Sequence, residues 1–595
     1  MPINKRIPIY IILGLIVFWI LDVWLFSTLA ALIVKPPLAD YYSTHPLQVS
    51  LRYFSALFGG TITEPDVFKV WKSLNLGLLL LAGAFAVYFA KIPSLTPMFK
   101  ENILGSASWL GLLEAKKVFR FSMSPGIMFG THMSMPVILP PEARGNRNVA
   151  VLGPPGSGKS RAYVRNNLFQ AAKSNWSVVV TDPKGELTRD FRKYFEDQGY
   201  QVKVFNLVDM VHSDRWNPLS EVKTDIDAQM FCEVVIANTS GLPGKSGDAF
   251  WDRAEMNLLK ALVLYVVNEL PEAERNMGSL YRILASGDSK YLDAIFGVLP
   301  HNHPAKMPYN IYCETDNKVR SGVIIGIGTR LQVFQNALVR GLTETSDIIL
   351  DLPGKSRCAY FCIVSDMEST FDFLASLFFS FLFIALTRYA DRSEGELPNP
   401  VNFLLDEFCN IGHIPDFPKK ISTMRGRGIA CSVIFQSIGQ LMNFYPHNEW
   451  ETILADCDSW LVLGVKDVTS AEYISKHMGV GTIETTSHSK SVGKILDLGK
   501  DTKRFEKRNL LNPDEIVRMD RNEAILSAFG LKPFKLTKMD YTKHPMSHLL
   551  KPSPVTEYCP EWSKPKDATQ SETTDSAFMQ PEAPEPAGEE DAFWA

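Results

Sequence analysis

Residues 153–160 read Gly-Pro-Pro-Gly-Ser-Gly-Lys-Ser, and this stretch restricts the fold more than any other. The five residues before it, 148–152, are short and apolar enough for a buried strand, and residues 161–172 have the pattern of a helix. A strand, a glycine loop and a helix in that order make a P-loop. Gly153, Gly156 and Gly158 let backbone N–H groups approach a phosphate chain without Cβ clashes, and Pro154, Pro155 and Ser157 complete the loop. The helix N-terminus adds partial positive charge. The spacing assigns Lys159 to the β- and γ-phosphates of ATP and Ser160 to Mg²⁺. The competing reading is a plain glycine-rich turn, and the full Gly-x4-Gly-Lys-Ser pattern in this context weighs against it.

A second motif follows far downstream. Residues 401–405 form an apolar strand that ends in Asp406-Glu407. Alone this is weak; behind a P-loop it reads as a Walker B motif. Asp406 then binds Mg²⁺ through water or Ser160, and Glu407 polarises the attacking water as general base. Residues 415–427 have helical spacing and end in Arg425-Gly426-Arg427-Gly428. Both arginines suit a helix C-terminus, and either also suits a finger reaching the γ-phosphate of a neighbouring subunit. Gln436 closes the next strand, 429–435, as either a γ-phosphate sensor or an ordinary helix cap. The turn 182–186, Asp-Pro-Lys-Gly-Glu, stands at the carboxyl end of a strand, where α/β sheets place ligand groups. Asp182 and Lys184 face nucleotide, face a neighbouring subunit, or only shape a turn.

The rest of the 595 residues divides into an α/β core and its additions. Residues 7–34 and 73–91 are apolar runs, the first long enough to span a bilayer and the second marginal. Two spans place the N-terminus and everything after Lys91 on the cytoplasmic side of the inner membrane, where ATP is. Asp22, inside the first run, is a partner-helix contact or sits at the outer interface. Residues 1–92 are thus a membrane region and 93–147 an approach segment. Residues 148–224 and 343–550 make the nucleotide-binding domain, and 225–342 is an inserted all-α domain, too long for a bare loop. Residues 551–595 are rich in Pro, Ser, Thr and acids and read as a disordered tail. The net charge of −4 gives no global basic signature, so nucleic acid would need a local basic surface. The polar run 479–508 is such a loop or a solvated hairpin.

The combination resembles the TraG/TraD-type coupling proteins of type IV secretion and conjugation. The resemblance rests on the two apolar runs, Gly-Ser-Ala-Ser-Trp at 105–109, the P-loop, the 182–186 turn, Trp216-Asn217-Pro218-Leu219 and Phe250-Trp251-Asp252. Its most specific part is residues 405–417 with Arg425-Gly426-Arg427-Gly428-Ile429 and Gln436. It implies a RecA-like P-loop core with an all-α insertion, preceded by two transmembrane helices, in a hexamer with ATP sites between subunits. It implies Arg425 as the finger acting in trans, with Arg427 the weaker candidate, and Gln436 as sensor. It also implies delivery of a relaxase bound to single-stranded DNA to a type IV secretion channel. An effector-protein receptor, with nucleotide serving assembly, is the alternative.

Overall fold

The computed structural model describes residues 22–90, 104–239, 249–286, 289–489 and 500–564. The chain divides into two compact units, residues 1–98 and 99–595.

The first unit is helical. Its helices are Ser27–Val34, Ala39–Thr44, Pro46–Ala56 and Pro65–Ala90. Pro36 and Pro37 cannot continue the first helix, which ends at Val34. Ala30, Ala31, Tyr42, Tyr53, Val67 and Trp71 pack into a small core, and the hydroxyls of Tyr42 and Tyr53 meet at 2.9 Å. Most of the first expected span, 7–34, lies outside the described residues. Residues 73–90 of the second expected span lie within the helix that starts at Pro65, eight residues before Ser73, and Lys91 lies outside the described residues. Asp22 makes contacts inside this unit: Asn75 Nδ2 donates to it at 2.8 Å and Ser50 Oγ at 3.3 Å. Among the described residues one helix meets the length and hydropathy of a membrane span, Asp372–Arg392, and 72% of its apolar window is buried. It is a core helix, with Phe378 stacked on Phe205 and Phe383 against Phe403.

The second unit is built on an eleven-stranded mixed sheet. Seven parallel strands form its centre: β3 (Val149–Leu152), β4 (Ser177–Thr181), β5 (Gln201–Asn206), β6 (Cys358–Ile363), β7 (Val401–Leu405), β8 (Ile429–Phe435) and β9 (Ser459–Val462). They lie in the order β5-β6-β4-β7-β8-β3-β9. β3, β4, β7 and β8 are buried along their whole length, as a parallel sheet covered on both faces requires. Beyond β9 the sheet turns antiparallel through β12 (Glu523–Ala528), β13 (Phe534–Thr537), β1 (Ile127–His132) and β2 (Met135–Leu139). The segment read as an approach therefore extends the sheet. Met133 and Ser134, both at positive φ, make the two-residue turn of the β1–β2 hairpin.

Between β5 and β6 the described residues of 225–342 are mainly helical, from Asp225–Thr239 to Ala337–Leu342, with Ala249–Glu269 as the long central helix. Leu258, Leu259, Leu262 and Val266 are its buried stripe. The polar run 479–508 forms β10 (Val480–Ser489) and β11 (Lys500–Asn509), an antiparallel pair separate from the main sheet. Residues 551–564, assigned to the disordered tail, instead lie on the core. Tyr558 OH donates to Asp214 at 2.6 Å, and Trp562 Nε1 donates to the Ser213 carbonyl at 2.7 Å. Two aromatic anchors outweigh a composition poor in apolar residues. Residues 565–595 lie outside the described residues.

Candidate nucleotide site

β3 delivers the glycine loop to the carboxyl edge of the sheet, beside the ends of β8 and β7. The Gly153 N–H donates to the Phe435 carbonyl at 3.1 Å, which carries the β3–β8 ladder one residue into the loop. A Cβ on Gly153 would stand 2.3 Å from Ser157 Oγ, so any side chain there would displace the Ser157 hydroxyl from inside the loop. Gly158, at φ +89°, turns the chain into the helix that begins at Lys159. Ser157 Oγ is buried without a hydrogen-bond partner inside the loop.

Five predicted residues converge here. Lys159 is buried, and its Nζ donates to the Gly153 carbonyl at 2.9 Å and lies 3.0 Å from Glu407 Oε1. Ser160 Oγ donates to Asp406 Oδ2 at 2.7 Å. Thr181 Oγ1 donates to the Asp406 carbonyl at 2.6 Å, tying the end of β4 to the end of β7. Burial pushes the Asp406 carboxyl up to about 6, with the neighbouring Glu407 charge acting in the same direction and the Ser160 hydrogen bond against it. Glu407 sits in the left-handed region at φ +51°, which turns its carboxylate back between Lys159 and Gln436, whose Nε2 donates to Glu407 Oε2 at 2.9 Å. The helix after β8 is capped by Ser437, whose Oγ accepts from the Gln440 N–H. Gln436 is therefore not that cap.

Asp182 is buried and accepts from the Thr188 N–H at 2.7 Å and from Thr188 Oγ1 at 2.8 Å. Burial raises its pKa against these hydrogen bonds. Its carboxylate holds the turn onto the helix Glu186–Asp197, and Lys184 stands exposed at the cavity wall. The two arginines after β7 differ. Arg427 bonds within its own chain, donating to Asp391 Oδ1 and to the Thr423 carbonyl, both at 2.8 Å. Arg425 is exposed and lies outside the cavity wall. It precedes β8, whose other end carries Gln436. The seven residues of β8 span roughly 23 Å, and Gly426, Arg427 and Gly428 lie between Arg425 and the start of the strand.

Sequence reasoning missed the residues that brace the P-loop and the helix after it from outside the cavity. Lys538 Nζ donates to the Ser157 carbonyl at 3.0 Å, Asp540 accepts from Arg161 Nε at 2.5 Å, and the Tyr541 ring packs under Arg165 at 4.9 Å. These residues follow β13, and no spacing relative to the P-loop betrays them.

The cavity is about 530 Å³ and is lined by the P-loop, Asp182, Lys184, Asp406, Glu407 and Gln436 among others. A cavity of about 570 Å³ in the N-terminal unit is almost wholly apolar at its wall. Its polar lining groups are few, and Asp22, Ser50 and Asn75 among them are bonded to one another, whereas many polar groups converge on the P-loop cavity, which is the candidate site. The residues fit Mg²⁺ and a triphosphate. Two hard oxygen ligands, Ser160 and Asp406, stand side by side, and Mg²⁺ characteristically uses one or two protein ligands and fills the rest with phosphate and water. The loop bends round a buried hydroxyl with capacity to spare.

Residues 136–576 match the family model described as type IV secretory system conjugative DNA transfer. Among sequence relatives, the protein VirD4 of Rhizobium radiobacter is 24% identical over 507 residues, covering 81% of this chain and 72% of that protein. VirD4 of Agrobacterium fabrum is 25% identical over 66% of this chain, and the match spans 58% of that relative. The conjugal transfer protein TraG of Escherichia coli is 25% identical over 63% of this chain and 62% of its own length. Among solved structures, the plasmid coupling protein TrwB in complex with a non-hydrolysable ATP analogue covers 77% of this chain and 99% of its own, with a TM-score of 0.56 at 16% identity. TrwB in complex with ADP and Mg²⁺ has a TM-score of 0.57, covering 75% of this chain and 96% of its own at 16% identity. The likeness is one of fold.

Proposed function

The chain belongs to the conjugative DNA transfer family of type IV secretory systems, and on that premise we propose that it is a membrane-anchored coupling ATPase. It works as a hexamer that recruits relaxase-bound single-stranded DNA and delivers it to the secretion channel. One observation carries the enzymatic part: Lys159, Ser160, Asp406, Glu407 and Gln436, drawn from three separate strand ends, meet in one cavity. The membrane reading is supported by the 26-residue helix Pro65–Ala90, whose Leu76, Leu79, Leu80 and Leu81 are exposed.

In this reading the P-loop N–H groups and Lys159 hold the phosphates of ATP, and Ser160 and Asp406 hold Mg²⁺. Bound there, Mg²⁺ neutralises phosphate charge and orients the terminal group. The phosphates compete with Glu407 for Lys159, which frees the Glu407 carboxylate to accept a proton from water. The water oxygen bonds to the γ-phosphorus as the bond to the β-phosphate oxygen breaks, leaving ADP and inorganic phosphate. Gln436 orients Glu407 through its amide. Arg425, remote from the cavity of its own subunit, reaches the site of a neighbour.

The test is the ATPase rate of the full-length chain in detergent, with and without single-stranded DNA, over a salt series. Stimulation that declines with salt is expected, because phosphate contacts release counterions. A rate indifferent to DNA at every salt concentration would replace DNA with a protein substrate.

A further inference from the structure

Four cations line the nucleotide cavity: Lys159, Arg161, Arg165 and Lys184. Three are committed. Lys159 faces Glu407 at 3.0 Å. Arg161 is bonded to Asp540, and Arg165 to Asp190 at 2.8 Å and to Glu186 at 3.4 Å. Among the described residues Lys184 alone of the four has no hydrogen bond or ion pair. Five carboxylates share the same wall, Asp182, Glu186, Asp366, Asp406 and Glu407. A triphosphate entering this cavity meets more negative than positive groups. Beyond Lys159, which the phosphates draw from Glu407, Mg²⁺ and one uncommitted lysine are what remain to balance it.

Lys184 is placed rather than loose. It occupies the third position of the turn 182–185, which the Gly185 N–H closes onto the Asp182 carbonyl at 3.2 Å, and Pro183 presets the second position. Gly185 is at φ +68°, and a Cβ there would meet Val555 at 3.3 Å, so residues 551–564 back the turn from behind. The Asp182 carboxylate anchors it through Thr188. β4 is the sheet neighbour of β7, so Lys184 stands on the side of the cavity that carries Asp406 and Glu407, where a γ-phosphate is attacked.

We propose that Lys184 is a second phosphate-binding lysine of this site, directed at the terminal phosphate within its own subunit, and so a determinant of the preference for ATP over ADP. The inference rests on the nucleotide reading above. It also links the helix Glu186–Asp197, and the C-terminal residues packed behind the turn, to the presence of the γ-phosphate.

The experiment is equilibrium binding of a non-hydrolysable ATP analogue and of ADP, each with Mg²⁺, to the full-length chain and to its Lys184→Ala and Lys184→Arg variants. Removing a charge-assisted hydrogen bond that only the triphosphate can accept should weaken the analogue by about tenfold or more and leave ADP within about threefold. Lys184→Arg should recover most of the affinity for the analogue. Equal weakening of both ligands, or no change in either, would overturn the assignment. Lys184 is exposed, so its replacement leaves the fold intact. Wild-type protein that binds neither ligand would overturn the nucleotide reading itself, and the role of Lys184 with it.

Discussion

Glu407 is held by two opposed partners, a buried lysine and an amide. That arrangement suits a base that is aimed. Glu407→Gln keeps the shape and the hydrogen-bonding capacity of the side chain but not its basicity. ATP turnover should fall by roughly a hundredfold or more, the usual scale for general-base removal, while Mg²⁺–nucleotide binding stays within a few-fold of wild type. Gln436→Ala should lower kcat by a smaller factor at nearly constant KM, because its amide holds the Glu407 carboxylate. Steady-state kinetics paired with nucleotide titration check both, and undiminished turnover in Glu407→Gln would remove it from the reaction. The residues in this exchange were readable from spacing because phosphate chemistry dictates their types. Lys538, Asp540 and Tyr541 were not, since they are joined to the P-loop only through the folded sheet.

The elements around the site show why some segments were legible and others misleading. Residues 405–417 form the most specific run in the sequence, and the packing gives a reason. A Cβ on Gly412, at φ +84°, would lie 2.6 Å from the Asp372 carbonyl. The Asn238 amide meets both sides of His413, accepting from its N–H at 2.6 Å and donating to its carbonyl at 2.9 Å. The run after Asp406 thus clasps the inserted helix Asp225–Thr239. Strand β13 and the residues after it show the opposite case, because isolated aromatic anchors have no period. His544 belongs to that segment. It is buried, stacked on Phe169 at 4.5 Å, and accepts from the Met546 N–H. Burial, with a smaller contribution from the Lys173 charge, pulls its pKa down to about 4. Because the folded value lies below the unfolded one, the unfolded chain binds more protons between about pH 4 and 6.5. Stability is therefore complete above that window and declines as pH falls through it, by roughly 2 kcal/mol at pH 5. His544→Phe retains the stacking and cannot titrate. Its melting temperature should drop less between pH 7 and pH 5 than that of wild type, as calorimetry on the full chain would show, and an identical drop would exclude His544 as the acid-sensitive group.

At the scale of the whole molecule the decisive asymmetry lies along β8. The strand, roughly 23 Å long, carries Gln436 to the cavity at one end, and Arg425 stands exposed in the turn before its other end. The neighbouring arginine, Arg427, serves the helix end through the Thr423 carbonyl and Asp391, whereas Arg425 is exposed. A site whose cationic finger comes from the next copy should separate by mixing. Lys159→Ala subunits lack phosphate binding but present a sound Arg425. Arg425→Ala subunits bind nucleotide but offer no finger. Each alone should be inactive, and co-assembled oligomers should regain part of the wild-type ATPase rate, because some interfaces pair an intact cavity with an intact finger. Arg427→Ala should instead lower the melting temperature and show no such complementation. If mixing Lys159→Ala with Arg425→Ala yields no more than the sum of the separate rates, Arg425 does not act across subunits, and assembly would then serve the passage of substrate without completing the ATP site.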